Sequence, residues 1–371
     1  MEGDKKYGAR ADGCGVQSSA EKQMWRCIRY ISGDIVTTTT TMTGEVLPKV
    51  PKVPKVPKVP KVPKVTLLSS DTIPGVGFGT GTKHRVKKQT DPKLGMETID
   101  EDLVTVLVSA LHSGFRHLDT AECYLTRVEI GEAIRRSGIP RSEVWITDKY
   151  DQGWKWKGVL LPSCTPSGPY ESLHKSLRLM KVDYIDLFLI HGPYFCKETC
   201  NITVEEAWKQ MERLLEEGLV RNIGVSNFDV PLLKRIFKIC KHQPQVDQVE
   251  YHLYQQEHRV VEFCRQHKML VEAYAPLTPM FSSKVGANRP AEPVIEELSE
   301  KYHVQPNQLL LRWVYQSGVL PITTSSNPER MKNTFKIFEF ELEPDDFARL
   351  KNAGQQFKYR GYFDNAFDLD I

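Results

Sequence analysis

Apolar and polar positions along this chain follow two periods that take turns. Short β-branched runs give way to stretches whose apolar residues recur every three or four positions, and the exchange repeats from about Val65 to the C-terminal region. The runs predict strands over 76–80, 115–121, 144–150, 184–191, 223–227, 246–251, 270–274 and 320–325. The stretches between and after them predict helices over 99–112, 128–137, 171–180, 204–217, 230–240, 257–267, 293–303 and 328–335. An extra helix fits at 306–315, where Pro306 suits a first-turn position. In the 204–217 helix, Val204, Ala207, Trp208, Met211, Leu214 and Leu215 share one face, and Thr203 with Glu206 has the form of a capping box.

Eight strand–helix units spread over about 260 residues match a (β/α)8 TIM barrel, an α/β fold of about that length. A doubly wound sheet competes. It wants a Gly-x-Gly-x-x-Gly turn between its first strand and helix. Here Gly75, Gly77, Gly79 and Gly81 alternate with single residues, and a polar stretch that reads as a long loop follows them. They read as a strand edge and a turn.

The first 65 residues have another texture. A threonine run, Thr37 to Thr41, precedes six Pro-Lys-Val triplets from Pro48 to Val65. Proline at every third position removes donors and fixes φ, so an extended polyproline-like spacer is expected, not a helix or a central strand. The chain thus divides into a low-complexity, disordered tail over 1–65 and a barrel over 66–371. The tail has no role, reflects a misread gene boundary, or offers its lysines for docking.

Charge follows the same division. Residues 1–66 hold 12 Lys/Arg against 6 Asp/Glu, which leaves 38 against 41 in the remainder. A net charge of +3 over 371 residues argues against a nucleic-acid binder. Eight scattered cysteines without a Cys-x-x-Cys pair fit a reducing compartment, and no ligands accompany Cys196 and Cys200 that would make them a zinc site. No metal is expected. Nor is any apolar run long enough for a membrane span, and the N-terminal residues lack the apolar core of a secretory signal. A soluble, cytoplasmic monomer without membrane or nucleic-acid partners is the expectation.

A parallel barrel gathers its chemistry at the C-terminal ends of its strands. The polar residues that close each apolar run therefore carry the argument. Asp119 closes the second strand, with Tyr124 in the loop beyond. Lys149 closes the third and His191 the fourth. Ser226 and Asn227 close the fifth, Gln248 lies on the sixth and Tyr274 on the seventh. Each alone reads most simply as solvated or packed. Together, at successive ends, they converge on one mouth.

The same residues carry a resemblance. Phe115-Arg-His-Leu-Asp119-Thr-Ala-Glu-Cys-Tyr124 resembles a signature of the aldo-keto reductases, as do Lys149 after Trp145-Ile-Thr-Asp and the run Asp183 to His191. Ile223-Gly-Val-Ser226-Asn227-Phe and Gln248-Val-Glu-Tyr-His252 match further, over about 66–371 in all. Thr147-Asp-Lys149-Tyr and the run Leu320 to Ser326 look most like the fungal-type branch that includes ketoamide reductases.

The resemblance implies hydride transfer from NADPH, less readily NADH, to a small-molecule aldehyde or ketone. Tyr124 is then the general acid. Lys149, held by Asp119, lowers the tyrosine pKa, and neutral His191 orients the carbonyl. Ser226, Asn227 and Gln248 bind the nicotinamide carboxamide. Tyr274 stacks on the ring, and Leu277 lines the pyrophosphate path. Thr323, Thr324, Ser325 and Arg330 take the adenosine end, where Asn327 caps a helix and Arg330 grips the 2′-phosphate. Two positions depart from the pattern. Thr324 stands near where many relatives carry lysine, and Ala275 replaces a common serine. Trp154, Trp156, Phe357, Tyr359, Tyr362, Phe363 and Phe367 suggest an aromatic wall suited to aromatic carbonyls or α-ketoamides. The rivals are a cofactor-sensing regulatory subunit of the same fold and a metal-dependent barrel hydrolase. The intact set of four argues against the first, and the lack of clustered ligands against the second.

Overall fold

The structure is a computed structural model, and it describes residues 62–156, 159–281, 285–286 and 289–363. It opens on an antiparallel hairpin, β1 (Lys64–Thr66) and β2 (Thr72–Pro74). Barrel strands follow: β3 (Gly77–Gly79), β4 (His117–Asp119) and β5 (Trp145–Tyr150). A second hairpin, β6 (Trp154–Trp156) and β7 (Val159–Leu161), rises from the loop after β5. The barrel resumes with β8 (Ile185–Ile190), β9 (Val220–Ser226), β10 (Val246–Glu250), β11 (Leu270–Tyr274) and β12 (Val319–Thr323). All eight barrel strands run parallel and in chain order, and β12 pairs back onto β3 through Ile322 opposite Gly77. The expected barrel is the observed fold. Every residue of β5 and of β8 is buried, as strands covered on both faces must be.

The helices around the sheet are α1 (Lys83–Thr90), α2 (Glu101–Ser113), α3 (Arg127–Ser137), α4 (Pro169–Met180), α5 (Val204–Glu216) and α6 (Val230–Phe237). After them come α7 (His258–Gln266), α8 (Glu292–Lys301), α9 (Pro306–Gln316), α10 (Pro328–Thr334) and α11 (Pro344–Gln355). In α5 the predicted face is buried from Val204 to Leu214, and both halves of the capping box form. Such a cap contributes about 1 kcal/mol.

Helix α1 corrects the sequence reading, which placed a long polar loop after the glycines. Its buried positions are His84 and Lys88, so no apolar stripe announces it. Charge holds it instead. Lys88 Nζ reaches Glu129 of α3 at 2.9 Å with neither side chain exposed, and Lys87 reaches Asp100 at 2.6 Å. Glycine is needed beneath it. A Cβ on Gly77 would meet Ile322 Cδ1 at 2.4 Å, and one on Gly81 would meet the Tyr124 ring at 2.8 Å.

The first hairpin closes the N-terminal end of the barrel. Its Leu67 and Ile73 pack with Trp145, Leu187, Val246 and Leu320, the residues that open or line the lower part of the strands. Val62 already packs on the barrel core and Pro63 accepts a hydrogen bond from Gly75, so the body starts a few residues before the expected boundary at 66. The remaining Pro-Lys-Val triplets and the threonine run lie outside the described residues, as do Cys14, Cys27 and Phe367. No helix among the described residues is long and apolar enough to cross a membrane.

Candidate active site

Strand alternation decides which polar residue enters the barrel. On β5, Asp148 turns outward to Arg127 of α3 at 2.9 Å, so Lys149 turns inward. Its Nζ lies 2.7 Å from Asp119 Oδ2 and donates to the Thr120 carbonyl at 2.9 Å, with the side chain fully buried. Asp119 Oδ2 also accepts from Gln248 Nε2 at 2.9 Å. Tyr124 lies beyond β4 in a single 3-10 turn, Glu122–Tyr124. Its hydroxyl is 3.3 Å from His191 Nε2, and Lys149 Nζ stands 5.5 Å from its ring centroid. The four residues expected to act together therefore meet.

Burial sets the protonation of this group. It pushes the Tyr124 phenol well above its ordinary value, and the neighbouring Cys123 and Asp119 add to the rise. The expected lowering by Lys149 is not the outcome. The ammonium is turned to Asp119 and Thr120, and desolvation of the phenolate outweighs it. Tyr124 therefore keeps its proton. His191 is moved well below its ordinary value, first by burial and then by Lys149 and Arg85, so its imidazole is neutral.

Five further predicted residues cluster at the same mouth. Ser226 Oγ donates to the Gln248 carbonyl at 2.7 Å, and Asn227 Nδ2 donates to the His191 carbonyl at 3.0 Å. Tyr274 donates its hydroxyl proton to Asn227 Oδ1 at 2.8 Å. Asn227 and Ala275 hold φ of 61° and 54° directly after β9 and β11, a left-handed backbone that costs a β-carbon residue such as alanine energy. Leu277 lies on the loop beyond. With Asp119, Tyr124, His191, Thr323 and Thr324, these residues line one cavity of about 630 Å³. Lys149 lies behind the wall. Ser325 and Arg330 sit beyond it, Ser325 on the connection from β12 to α10 and Arg330 in the first turn of α10.

The residues present fit a nicotinamide dinucleotide. Gln248 Oε1 has no hydrogen-bond partner among the described residues, which leaves an acceptor for a carboxamide at the cavity wall. Arg330 is exposed and forms no ion pair among the described residues, so its guanidinium is free for a phosphate. The expected Asn327 cap is present. Asn327 Oδ1 accepts from the amides of both Glu329 and Arg330, at 2.9 and 3.0 Å, so these two amides already have a partner.

The aromatic expectation separates into two groups. Trp154 packs on Phe363 at 4.2 Å and on Tyr194 at 5.1 Å, and Trp154, Tyr362 and Phe363 line the cavity. Phe357 and Tyr359 instead pack on the barrel core. Sequence reasoning missed Arg85, Cys123, Asp151, Phe281 and Glu272. Arg85 comes from the unforeseen α1 and sits over the Tyr124 ring at 5.4 Å. Glu272 was legible, because it lies two residues before Tyr274 and so shares its inward face. It accepts from Gln248 Nε2 at 2.8 Å, and burial pushes its carboxyl up to about 8.

This geometry, eight parallel strands with an ion-paired lysine, a protonated tyrosine and a neutral histidine at one mouth, defines a nicotinamide-dependent carbonyl oxidoreductase on a TIM barrel. A family model described as the aldo/keto reductase family matches residues 76–355, and the chain belongs to that family. It is 38% identical over 296 residues to an NADPH-dependent alpha-keto amide reductase of Saccharomyces cerevisiae, covering 78% of this chain and 90% of the relative. It is 36% identical over 292 residues to an NAD/NADP-dependent indole-3-acetaldehyde reductase of Schizosaccharomyces pombe, with 78% and 95% covered. Among solved structures, an aldo-keto reductase of Bombyx mori in complex with NADP superposes with a TM-score of 0.67 at 26% identity, over 82% of this chain and 97% of that one.

Proposed function

We propose that this enzyme reduces aromatic or α-keto carbonyl compounds with NADPH, and that Tyr124 delivers the proton. The observation that carries the reading is the meeting of Tyr124, His191, Lys149 and Asp119 at one cavity. Bound NADPH supplies the hydride for the carbonyl carbon. The carbonyl π bond breaks as the Tyr124 O–H transfers its proton to the oxygen, which leaves an alcohol and NADP⁺. The phenolate left on Tyr124 forms beside the Lys149 ammonium and regains a proton from solvent through the open mouth. His191, neutral, donates to the carbonyl oxygen from Nε2 and so fixes the face that receives the hydride. Asp119 keeps Lys149 in place.

Ser226, Asn227 and Gln248 would hold the carboxamide and Tyr274 the ring. Leu277 would border the pyrophosphate, and Thr323, Thr324, Ser325 and Arg330 the adenosine end. Arg330 supports NADPH over NADH, since a guanidinium pairs with a 2′-phosphate in bidentate fashion. Trp154 and Phe363 support a flat, apolar substituent on the carbonyl. The relatives named above, one acting on alpha-keto amides and one on indole-3-acetaldehyde, support the same substrate class.

The test is oxidation of NADPH and of NADH in the presence of a panel of aromatic aldehydes, α-ketoamides and short aliphatic aldehydes. Turnover with NADPH on the first two groups is expected, with loss of about 10²- to 10⁴-fold in Tyr124→Phe and unchanged NADPH binding. Equal turnover in Tyr124→Phe would remove the proton-donor assignment.

A further inference from the structure

Three barrel strands in succession end in groups that have a second chemistry. Cys123 follows β4, Asp151 follows β5 and His191 follows β8. One donor atom from each lies within 4.8 Å of the others, and among the described residues this is the one such group of thiol, imidazole and carboxylate. Cys123 Sγ is 3.6 Å from His191 Nδ1. A second thiol adjoins them, because Cys164 Sγ is 3.2 Å from Asp151 Oδ2. The other nitrogen of His191, Nε2, is turned to Tyr124.

Zinc binds sulfur at about 2.3 Å and nitrogen or oxygen at about 2.0 Å, so neighbouring ligands of a tetrahedral site stand roughly 3.3–3.8 Å apart. The Cys123–His191 pair, at 3.6 Å, already has such a separation, and the Cys164–Asp151 pair, at 3.2 Å, stands just short of it. Cys164 lies outside the close group of three and meets it through Asp151 Oδ2, so completing the set takes movement of the Cys164 side chain as well as of the Asp151 carboxylate, which the Gly153 amide holds at 3.3 Å. The donors are two soft sulfurs, a borderline nitrogen and one oxygen. That set selects zinc-like cations over magnesium or calcium.

We propose that Cys123, Asp151, His191 and Cys164 form a binding site for one soft divalent cation of the zinc class, whose occupancy shuts off carbonyl reduction. Cys123, Asp151 and His191 all line the cavity that also holds Tyr124. A cation there occupies space a carbonyl substrate needs, pulls the His191 ring toward Cys123, and sets positive charge beside the Tyr124 hydroxyl. The inhibition rests on the functional reading given above, whereas the binding does not.

The experiment has two arms on the full chain, kept reduced with a phosphine and stripped with a chelator. In the first, cobalt(II) is titrated in as a spectroscopic stand-in. One equivalent is expected to give the thiolate-to-cobalt charge-transfer band and the visible bands of a tetrahedral site, and zinc is expected to displace it. The band should be lost in Cys123→Ser/Cys164→Ser, which keeps the other cysteines, and Asp151→Asn should shift the visible bands with both thiols present. A band of full intensity in the double variant, or no band at all in the wild type, overturns the proposal.

In the second arm, zinc is expected to inhibit NADPH oxidation competitively with the carbonyl substrate, reversibly on adding chelator. Cys164→Ser should keep its basal rate and need at least about tenfold more zinc for half inhibition. Unchanged zinc sensitivity in Cys164→Ser with the cobalt band intact removes Cys164 and the four-ligand site. A cobalt site that behaves as described in a protein without reductase activity leaves the site standing and removes the functional reading instead.

Discussion

Tyr124 and His191 are both held in their uncharged forms by burial, and each form is the one the proposed reaction uses. The tyrosine acts protonated, so reduction falls only as pH rises through a value above the ordinary ~10 of a phenol. The histidine acts neutral, so reduction falls only as pH drops through a value below its ordinary ~6.5. A plateau of kcat/KM across the whole interval is expected in a pH–rate profile of the reduction. A limb centred near neutral pH would show that one of the two titrates where its burial says it should not. The positions of these residues were legible, because each closes or follows an apolar run. Their electrostatics were not. The sequence suggested that Lys149, held by Asp119, acidifies Tyr124; the pairing is present, but only the fold shows the added Thr120 carbonyl and the burial that keeps the phenol protonated.

The elements divide into those written in apolar periodicity and those written in charge. Helix α5 announced itself through Trp208, Met211 and its cap. Helix α1 did not, because its inner face is His84 and Lys88 and its anchors lie on α3 and the approach to α2. The hairpin of β6 and β7 was foreshadowed only by Trp154 and Trp156, and Trp154 takes its place by packing against Tyr194 and Phe363 from distant parts of the chain. A helix held by a buried ion pair is exposed to a specific failure. Lys88→Met leaves the Glu129 carboxylate buried with the Asp100 amide as its remaining strong donor, and a loss of about 3–5 kcal/mol is expected in urea unfolding. Lys88→Met/Glu129→Leu should recover most of it. A single variant as stable as the wild type would show that the pair contributes nothing. Since α1 also carries Arg85 over the Tyr124 ring, the single variant should lose turnover along with stability.

At the scale of the whole molecule, the polar column inside the barrel makes stability depend on pH. Glu272 has its carboxyl raised to about 8, with Gln248, Asp119, Lys149 and His117 as its charged or polar neighbours. The folded state therefore holds a proton that the unfolded chain releases at ordinary carboxylate pH. That contribution is full at low pH and is lost as pH rises through about 8. Thermal unfolding should show the midpoint falling between pH 6.5 and 8.5, and falling less in Glu272→Gln. The comparison starts at 6.5 because His117, lowered to about 3 by burial and by Lys149, gives up stability below that. A parallel fall in both proteins would assign the pH dependence elsewhere. The barrel itself was legible from eight alternations of period. Its closing hairpin was not, because β1 and β2 are three residues each and carry no period of their own.

That hairpin has a consequence for traffic. With Leu67 and Ile73 seated among the strands at the lower end, the described residues leave the mouth at the C-terminal strand ends as the way in. Reactants that meet inside a one-door vessel have to queue. The groups suited to the dinucleotide, Ser226, Asn227 and Gln248, are almost wholly buried at the strand ends, whereas Trp154 and Tyr362 remain partly open at the rim. First in is then last out. Dinucleotide is expected to enter before carbonyl compound, and alcohol to depart before oxidised dinucleotide. Product-inhibition patterns read this sequence directly: NADP⁺ should compete with NADPH, and the alcohol should not. Competition of the alcohol with NADPH would mean that the queue can be jumped.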